Sequence, residues 1–327
     1  VTVPRTAPRI SRYLTSADLA ESLARDVRQG LDHTPKSIPP KYFYDARGSE
    51  LFEEITELEE YYPTRTEESI LATYAAEITK LADADTLVEL GSGSSTKTRL
   101  LLDGMREIGR LARYIPVDVS ESALRGAIES LHVDYPGMAM HGVIADFERH
   151  LELLPQEGTR LVAFLGGTIG NLAPAQRARF LTALRSGLRP QERLLLGTDL
   201  VKDPGRLVRA YDDASGVTAE FNRNVLRVVN HALHADFDPE AFEHVALWNA
   251  EQEWIEMRLR SSRAQRVRVA DLDLNVTFEV GEELRTEISA KFREERVREE
   301  LRAAGLSLEA WWTDPAGDFA LSLSAPI

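Results

Sequence analysis

Three carboxylates stand near or at the ends of short apolar runs, and the first precedes a glycine turn. Leu87-Val-Glu-Leu-Gly-Ser-Gly-Ser-Ser-Thr-Lys-Thr-Arg99 reads as a buried strand, a turn at Gly91 and Gly93, and the start of a helix. Glycine in such a turn lets the backbone approach a ligand closely and adopt dihedrals closed to other residues. Asp118 ends the next apolar run 25 residues beyond Gly93, near the roughly 20-residue spacing at which a carboxylate takes ribose hydroxyls. Asp146-Phe147 ends the third run, an acceptor beside an aromatic ring, which suits an exocyclic amine on a flat base. Each has a plain structural reading as loop glycine, helix cap or core phenylalanine; the combination points to a nucleotide-like cofactor. A dinucleotide fingerprint would place a third glycine at position 96, where this chain has Thr96.

The elements that must hold these residues follow from periodicity. Between Thr86 and Leu200, apolar runs at Thr86 to Leu90, Tyr114 to Val117, Met138 to Ala145, Arg160 to Leu165 and Arg193 to Thr198 alternate with helical stretches. That rhythm predicts an α/β fold, a parallel sheet with helices on both faces, whose ligand sits at the carboxyl ends of the strands. Upstream, Thr15-x-x-Asp18 forms a capping box before Leu19, Leu23 and Val27, predicting an amphipathic helix stopped by Pro39-Pro40, and a second helix is expected from about Glu67. After Leu200 the rhythm breaks: a helix over Thr218 to Leu233 precedes apparent antiparallel strands at Trp254 to Leu259, Arg266 to Val269 and Leu274 to Val280. The doubly wound pattern is expected to resume at Glu287 to Phe292, followed by a helix over Glu295 to Ala304 and two strands ending at Phe319 to Ser324. Two domains are expected: 66–200 with 287–327 as the cofactor-binding core, and 1–65 with 201–286 as a substrate-binding α+β domain.

Composition narrows the partner. The 327 residues carry a net charge of −14, which argues against a nucleic-acid partner, since that binding rests on Lys and Arg displacing counterions. No apolar run reaches the roughly 18 residues of a membrane span, and Val1 to Leu14 lacks an apolar targeting core, so a cytoplasmic protein without membrane contact is expected. Cysteine is absent and the seven histidines show no metal-ligand spacing; no metal is expected. A small-molecule substrate is the remaining default, and the protein is expected to be a monomer.

Glu89-x-Gly91-x-Gly93 without the third glycine, followed by acidic ends on strands two and three, resembles the S-adenosylmethionine (SAM) site of a class I, Rossmann-like methyltransferase. Further stretches sharpen this: Pro39-Pro-Lys-Tyr-Phe-Tyr-Asp45, Glu60-Tyr-Tyr-Pro-Thr-Arg65, Phe164-Leu-Gly-Gly-Thr-Ile-Gly-Asn171, Gly197-Thr-Asp-Leu-Val-Lys202, Arg209-Ala-Tyr-Asp-Asp213, Phe221-Asn-Arg-Asn224 and Thr286-Glu-Ile-Ser-Ala-Lys-Phe292. Together they resemble the histidine-specific N-α-methyltransferases that make hercynine in ergothioneine biosynthesis, over nearly the whole chain after about residue 15. The resemblance implies cofactor contacts from Tyr44, Gly91, Lys97, Asp118, Asp146 and Phe147. It implies an amino acid lying between the domains, its backbone groups held by Tyr61, Asn171 and Tyr211 with Gly166 close by, its imidazole meeting Glu287 and Ser289, and Met257 in the pocket wall. Gly167 stands where a Ser is usual and Ala290 where a Cys is often seen; neither replaces a proposed ligand group.

Residue physics alone leaves these positions open. Tyr61 could belong to an aromatic turn, Asn171 could cap the helix near Pro174, Tyr211 and Met257 could be core, and Glu287 and Ser289 could line a solvated strand face. The implied reaction is in-line attack of a neutral α-amino nitrogen on a sulfonium methyl, repeated to three methyl groups, with no general base assigned. A methyltransferase of another aromatic amino acid, a cofactor-binding protein without turnover and a dehydrogenase are the competing readings.

Overall fold

The computed structural model describes residues 7–93, 95 and 97–327. Thr96, the site of the missing third glycine, and residues 1–6, which open the stretch Val1 to Leu14, lie outside the described residues. Along the chain the strands are β1 (Arg9–Arg12), β2 (Lys36–Ser37), β3 (Thr86–Leu90), β4 (Arg113–Asp118), β5 (Ala139–Ile144), β6 (Arg160–Phe164), β7 (Arg193–Asp199), β8 (Phe242–Asn249), β9 (Trp254–Ser261), β10 (Gln265–Val269), β11 (Leu274–Phe278), β12 (Glu283–Ala290), β13 (Leu306–Thr313) and β14 (Phe319–Pro326). The helices are α1 (Ser16–Asp32), α2 (Ala46–Glu57), α3 (Pro63–Ala82), α4 (Thr98–Glu107), α5 (Glu121–Asp134), α6 (Pro174–Gly187), α7 (Pro204–Arg209), α8 (Val217–Leu233) and α9 (Glu294–Ala303). The described residues form two compact units, the first from residues up to 14, 63–200 and 292–327, the second from 15–62 and 201–291.

In the first unit an eight-stranded sheet runs β1-β5-β4-β3-β6-β7-β14-β13. The six strands from β1 to β7 in that order are parallel, and β14 and β13 close one edge through antiparallel pairs. Every residue of β3 is buried, as expected of a central parallel strand covered on both faces. Chain order reverses on either side of β3, so the turn after it lies at the switch point where such sheets bind ligands. Leu87, Leu101, Leu102, Tyr114, Leu161, Leu195 and Leu321 share one apolar core here.

The second unit has a four-stranded sheet, β2-β12-β9-β8, and a hairpin of β10 and β11. Helix α1 opens with the expected capping box: Asp18 N–H donates to Thr15 Oγ1 and Thr15 N–H donates to Asp18 Oδ2. Its Leu23, Val27 and Leu31 join Phe43, Leu51, Phe221, Val225, Val229 and Ile255 in a second core, whereas Leu19 stays exposed.

Several expected boundaries move. β1 pairs in parallel with β5, so residues 9–12 belong to the first unit's sheet and not to a substrate domain spanning 1–65. Glu287 to Phe292 does not resume the doubly wound pattern. Residues 283–290 form β12, antiparallel to β9, with Glu287 opposite Met257 and Ser289 opposite Ile255, so the second unit extends to residue 291. The apolar alternation was legible; the sheet it would join was not, because backbone pairing carries no sequence label. Strand β8 was missed, since its mostly half-buried residues give no alternation. α1 ends at Asp32 rather than at Pro39-Pro40, and α3 starts at Pro63, which occupies the first helical position that proline favours, rather than near Glu67.

Candidate active site

In the first unit the glycine turn follows β3 directly. Gly91 has φ +69° and Gly93 φ +49°, left-handed values that other residues rarely adopt. Gly91 N–H donates to Val117 O (2.8 Å), and Gly93 N–H donates to Asp118 Oδ2 (2.9 Å), tying the turn to the end of β4. Asp118 Oδ1 accepts the Ser120 N–H at 2.8 Å. A carboxylate has about four acceptor positions, so acceptor capacity remains for a ribose hydroxyl. Burial raises the Asp118 pKa, opposed by those backbone donors. Asp146 Oδ1 accepts the Glu148 N–H at 2.9 Å, and the Phe147 ring stands edge-on to Phe164 and Phe180, 5.1 and 5.8 Å between centroids. A β-carbon at Gly91 would lie 3.9 Å from that ring, which places Phe147 beside the turn.

Lys97, at the head of α4, is ion-paired with Glu67 of α3. Glu67 is fully buried, and its two oxygens accept the Gly166 N–H at 2.8 and 3.0 Å. One carboxylate therefore holds both the cofactor-turn lysine and the loop after β6. It also explains Gly197, where a β-carbon would lie 2.2 Å from Glu67 Oε1. Gly166 and Gly167 both have positive φ, +74° and +68°, so a serine at position 167 would be strained in this loop. The turn Thr168–Asn171 follows; α6 is capped at Ala173, so Asn171 is not its N-cap.

Glu89 is also buried. Burial pushes its carboxyl up to about 7, against O–H bonds from Thr98 (2.6 Å) and Tyr114 (2.5 Å) and the charge of Lys97. Between its ordinary 4.5 and about 7 the folded chain holds a proton that the unfolded chain has released, so stability present below pH 4.5 is lost as pH rises through 7, by roughly 3 kcal/mol. In Glu89→Gln that slope is expected to flatten, read from urea midpoints between pH 5 and 7.5; parallel profiles for the two proteins would refute the assignment.

The other site residues lie in the second unit. Tyr44 follows the short turn Pro40–Phe43, its ring edge-on to Phe52 and Phe221 (5.6 and 5.7 Å). Asp45 caps α2 through the Gly48 N–H (2.7 Å) and accepts from Asn224 Nδ2 of α8 (2.8 Å), which joins two of the sequence stretches distant in the chain. Tyr61 and Tyr211 are buried and pack edge-on at 6.2 Å. The Tyr211 hydroxyl is 2.7 Å from Ser289 Oγ. Met257, 2% exposed, faces Glu287 in the β9–β12 register. Tyr211 lies beyond the end of α7 and is part of the second unit's core. Its backbone carbonyl accepts from His244 Nε2 (2.8 Å), while His244 Nδ1 accepts from Asn222 Nδ2 (2.8 Å). Burial lowers the His244 pKa, which keeps this ring neutral as the bonding pattern requires. Asp213 anchors the same loop by accepting the Thr218 and Val217 N–H groups (2.8 and 3.1 Å). Burial raises its pKa, but these bonds prevail and bring it down to about 2.

The family model for SAM-dependent histidine-specific methyltransferases matches residues 23–326. The chain belongs to that family. The methyltransferase is 61% identical over 315 residues to the histidine N-alpha-methyltransferase of Mycolicibacterium smegmatis, covering 96% of this chain and 98% of that protein. It is 58% identical over 304 residues to the enzyme of the same name from Mycobacterium tuberculosis, with 93% and 95% covered. Ergothioneine biosynthesis protein 1 of Neurospora crassa is 32% identical over 204 residues, 61% of this chain and 23% of that protein. Among the described residues of the methyltransferase, no helix is long and apolar enough to cross a membrane.

The structure thus groups Gly91, Lys97, Asp118, Asp146, Phe147, Gly166 and Asn171 on the first unit, and Tyr44, Tyr61, Tyr211, Met257, Glu287 and Ser289 on the second. Sequence reasoning missed Glu67, Lys291 and His244 as supports of these residues. Glu67 and Lys291 sit beside or inside stretches that carried the resemblance, the only signal either offered; His244 had none.

Proposed function

We propose that this methyltransferase converts L-histidine to hercynine in ergothioneine biosynthesis by three successive methylations of the α-amino group. The observation that supports it most directly is the β12 face on which Glu287 stands opposite Met257 and Ser289 bonds Tyr211, since a carboxylate acceptor and a hydroxyl two residues on match the two nitrogens of an imidazole. The names of the relatives support the same substrate.

The first unit's turn residues fit the methyl donor: Asp118 for the ribose hydroxyls, Asp146 for an adenine amine, Phe147 for the base. When bound, SAM supplies a sulfonium methyl as electrophile. The chain's own contribution is proximity, which can lower a barrier by roughly 7 to 11 kcal/mol when reacting groups are held in line. The amine must also lose its proton, at about 7.7 to 8.0 for an α-amino group. Tyr61 and Tyr211 of the second unit offer it neutral acceptors, which do not favour the ammonium form as a carboxylate would. No residue is assigned as general base. In this reading the enzyme acts as a cytoplasmic monomer on a free amino acid.

Incubation with SAM and an equimolar mixture of the common amino acids, followed by mass spectrometry, tests the proposal. Trimethylated histidine is the expected dominant product. Methylation of another amino acid would overturn the substrate and the Glu287 and Ser289 roles; no methylation would overturn the activity.

A further inference from the structure

Residues 287, 289 and 291 share one parity along the chain, which turns their side chains toward one face. The third is a lysine, 0% exposed, on which the mechanism above makes no demand. Lys291 Nζ donates to Tyr211 Oη at 2.9 Å and to Ser289 Oγ at 2.9 Å, and those two hydroxyl oxygens are 2.7 Å apart. The ammonium also lies 4.6 Å from the centroid of the Tyr211 ring.

Counting hydrogens around this triangle decides what Ser289 can do. An ammonium only donates, so both hydroxyl oxygens accept from it. One proton lies between the two hydroxyls. The phenol is much the more acidic, at about 10, and is therefore the donor to the aliphatic oxygen. Both lone pairs of Ser289 Oγ are then taken, one by Lys291 and one by Tyr211, and its own O–H is all that remains.

We propose that Lys291 is a positioning residue that makes Ser289 an obligate donor, so that the site takes imidazole as the neutral tautomer with its N–H toward Glu287 and its bare nitrogen toward Ser289. The inference rests on the histidine reading above. Glu287 alone would favour imidazolium, because an adjacent carboxylate stabilises the cation. The lysine charge and the committed hydroxyl oppose it, since imidazolium would set an N–H against the Ser289 O–H. Groups around the triangle include Tyr61 against the Tyr211 ring, His244 on the Tyr211 carbonyl, Asp212 4.0 Å from His244, and Glu253, whose backbone carbonyl accepts the Lys291 N–H.

The test uses hercynine as ligand with S-adenosylhomocysteine present, because its quaternary nitrogen does not titrate. Its dissociation constant is measured by calorimetry from pH 7.5 to 5.5. For the wild type it is expected to rise about tenfold as imidazole protonates near 6.5. Lys291→Met frees Ser289 to accept and is expected to show less than a threefold rise with weaker binding at pH 7.5, while Lys291→Arg, which keeps the donors, restores the wild-type profile. A tenfold rise that persists in Lys291→Met overturns the proposal. So does a 15N-labelled imidazole found doubly protonated in the wild-type complex at pH 6.5, a measurement that needs no variant to fold. Absence of wild-type hercynine binding, together with absence of histidine methylation, would instead bring down the functional reading itself.

Discussion

Replacing Glu287 with alanine is expected to lower kcat/KM for histidine by about a hundredfold and to collapse its preference over phenylalanine to within about tenfold. The first figure corresponds to roughly 3 kcal/mol, the upper range for a hydrogen bond to a charged group. The second is larger because it contains a penalty against the wrong ligand. A site built to bond a substrate N–H rejects an analogue lacking it by roughly 10⁴ or more, its own acceptor being left unpaired. Removing the carboxylate removes that penalty, and the apolar wall at Met257 then accepts a benzene ring as readily as an imidazole. Competition between histidine and phenylalanine, with products separated by mass, measures both effects. A variant that retained the wild-type preference would show that the imidazole is recognised elsewhere.

The second large effect is expected at Glu67. Glu67→Ala removes the partner of Lys97 and the acceptor for the Gly166 N–H in one change. Breaking a buried ion pair on one side costs about 3 to 5 kcal/mol; the Lys97 side chain is 21% exposed and can regain some water, which argues for the lower figure. Roughly 3 kcal/mol corresponds to a melting temperature lowered by about 6 to 12 °C for a cooperative unit of the size of the first unit, in which Glu67 lies. S-adenosylhomocysteine affinity is expected to fall at least tenfold as well, because the lysine and the glycine loop lose a shared anchor. Glu67→Gln keeps one acceptor and should fall between. Thermal melts with and without S-adenosylhomocysteine separate the two effects, and a melting temperature within about 1 °C of wild type would rule out the anchoring role.

How much could be read in advance differs between the two units for a physical reason. In the first, β3 to β7 were legible almost to the residue, because strands buried on both faces must be apolar runs and crossover helices must separate them. In the second, the sheet is mostly antiparallel, with β2 parallel to β12, partly exposed and assembled from strands far apart in the chain. Strand β8 was invisible, and Glu287 and Ser289 were assigned to the wrong sheet although their shared face was evident from parity alone.

The amino-acid sequence alone carried the fold class, the glycine turn, the strand-end carboxylates and the family, since each depends on residue types at fixed short spacings that local backbone geometry enforces. What only the tertiary structure decided is which groups hold the site in place. Glu67 meets Gly166 across 99 residues, and Lys291 meets Tyr211 across 80. No local periodicity encodes such a pairing; each exists only once the core of its own unit has packed and left a buried charge facing the hydrogen-bonding groups that satisfy it.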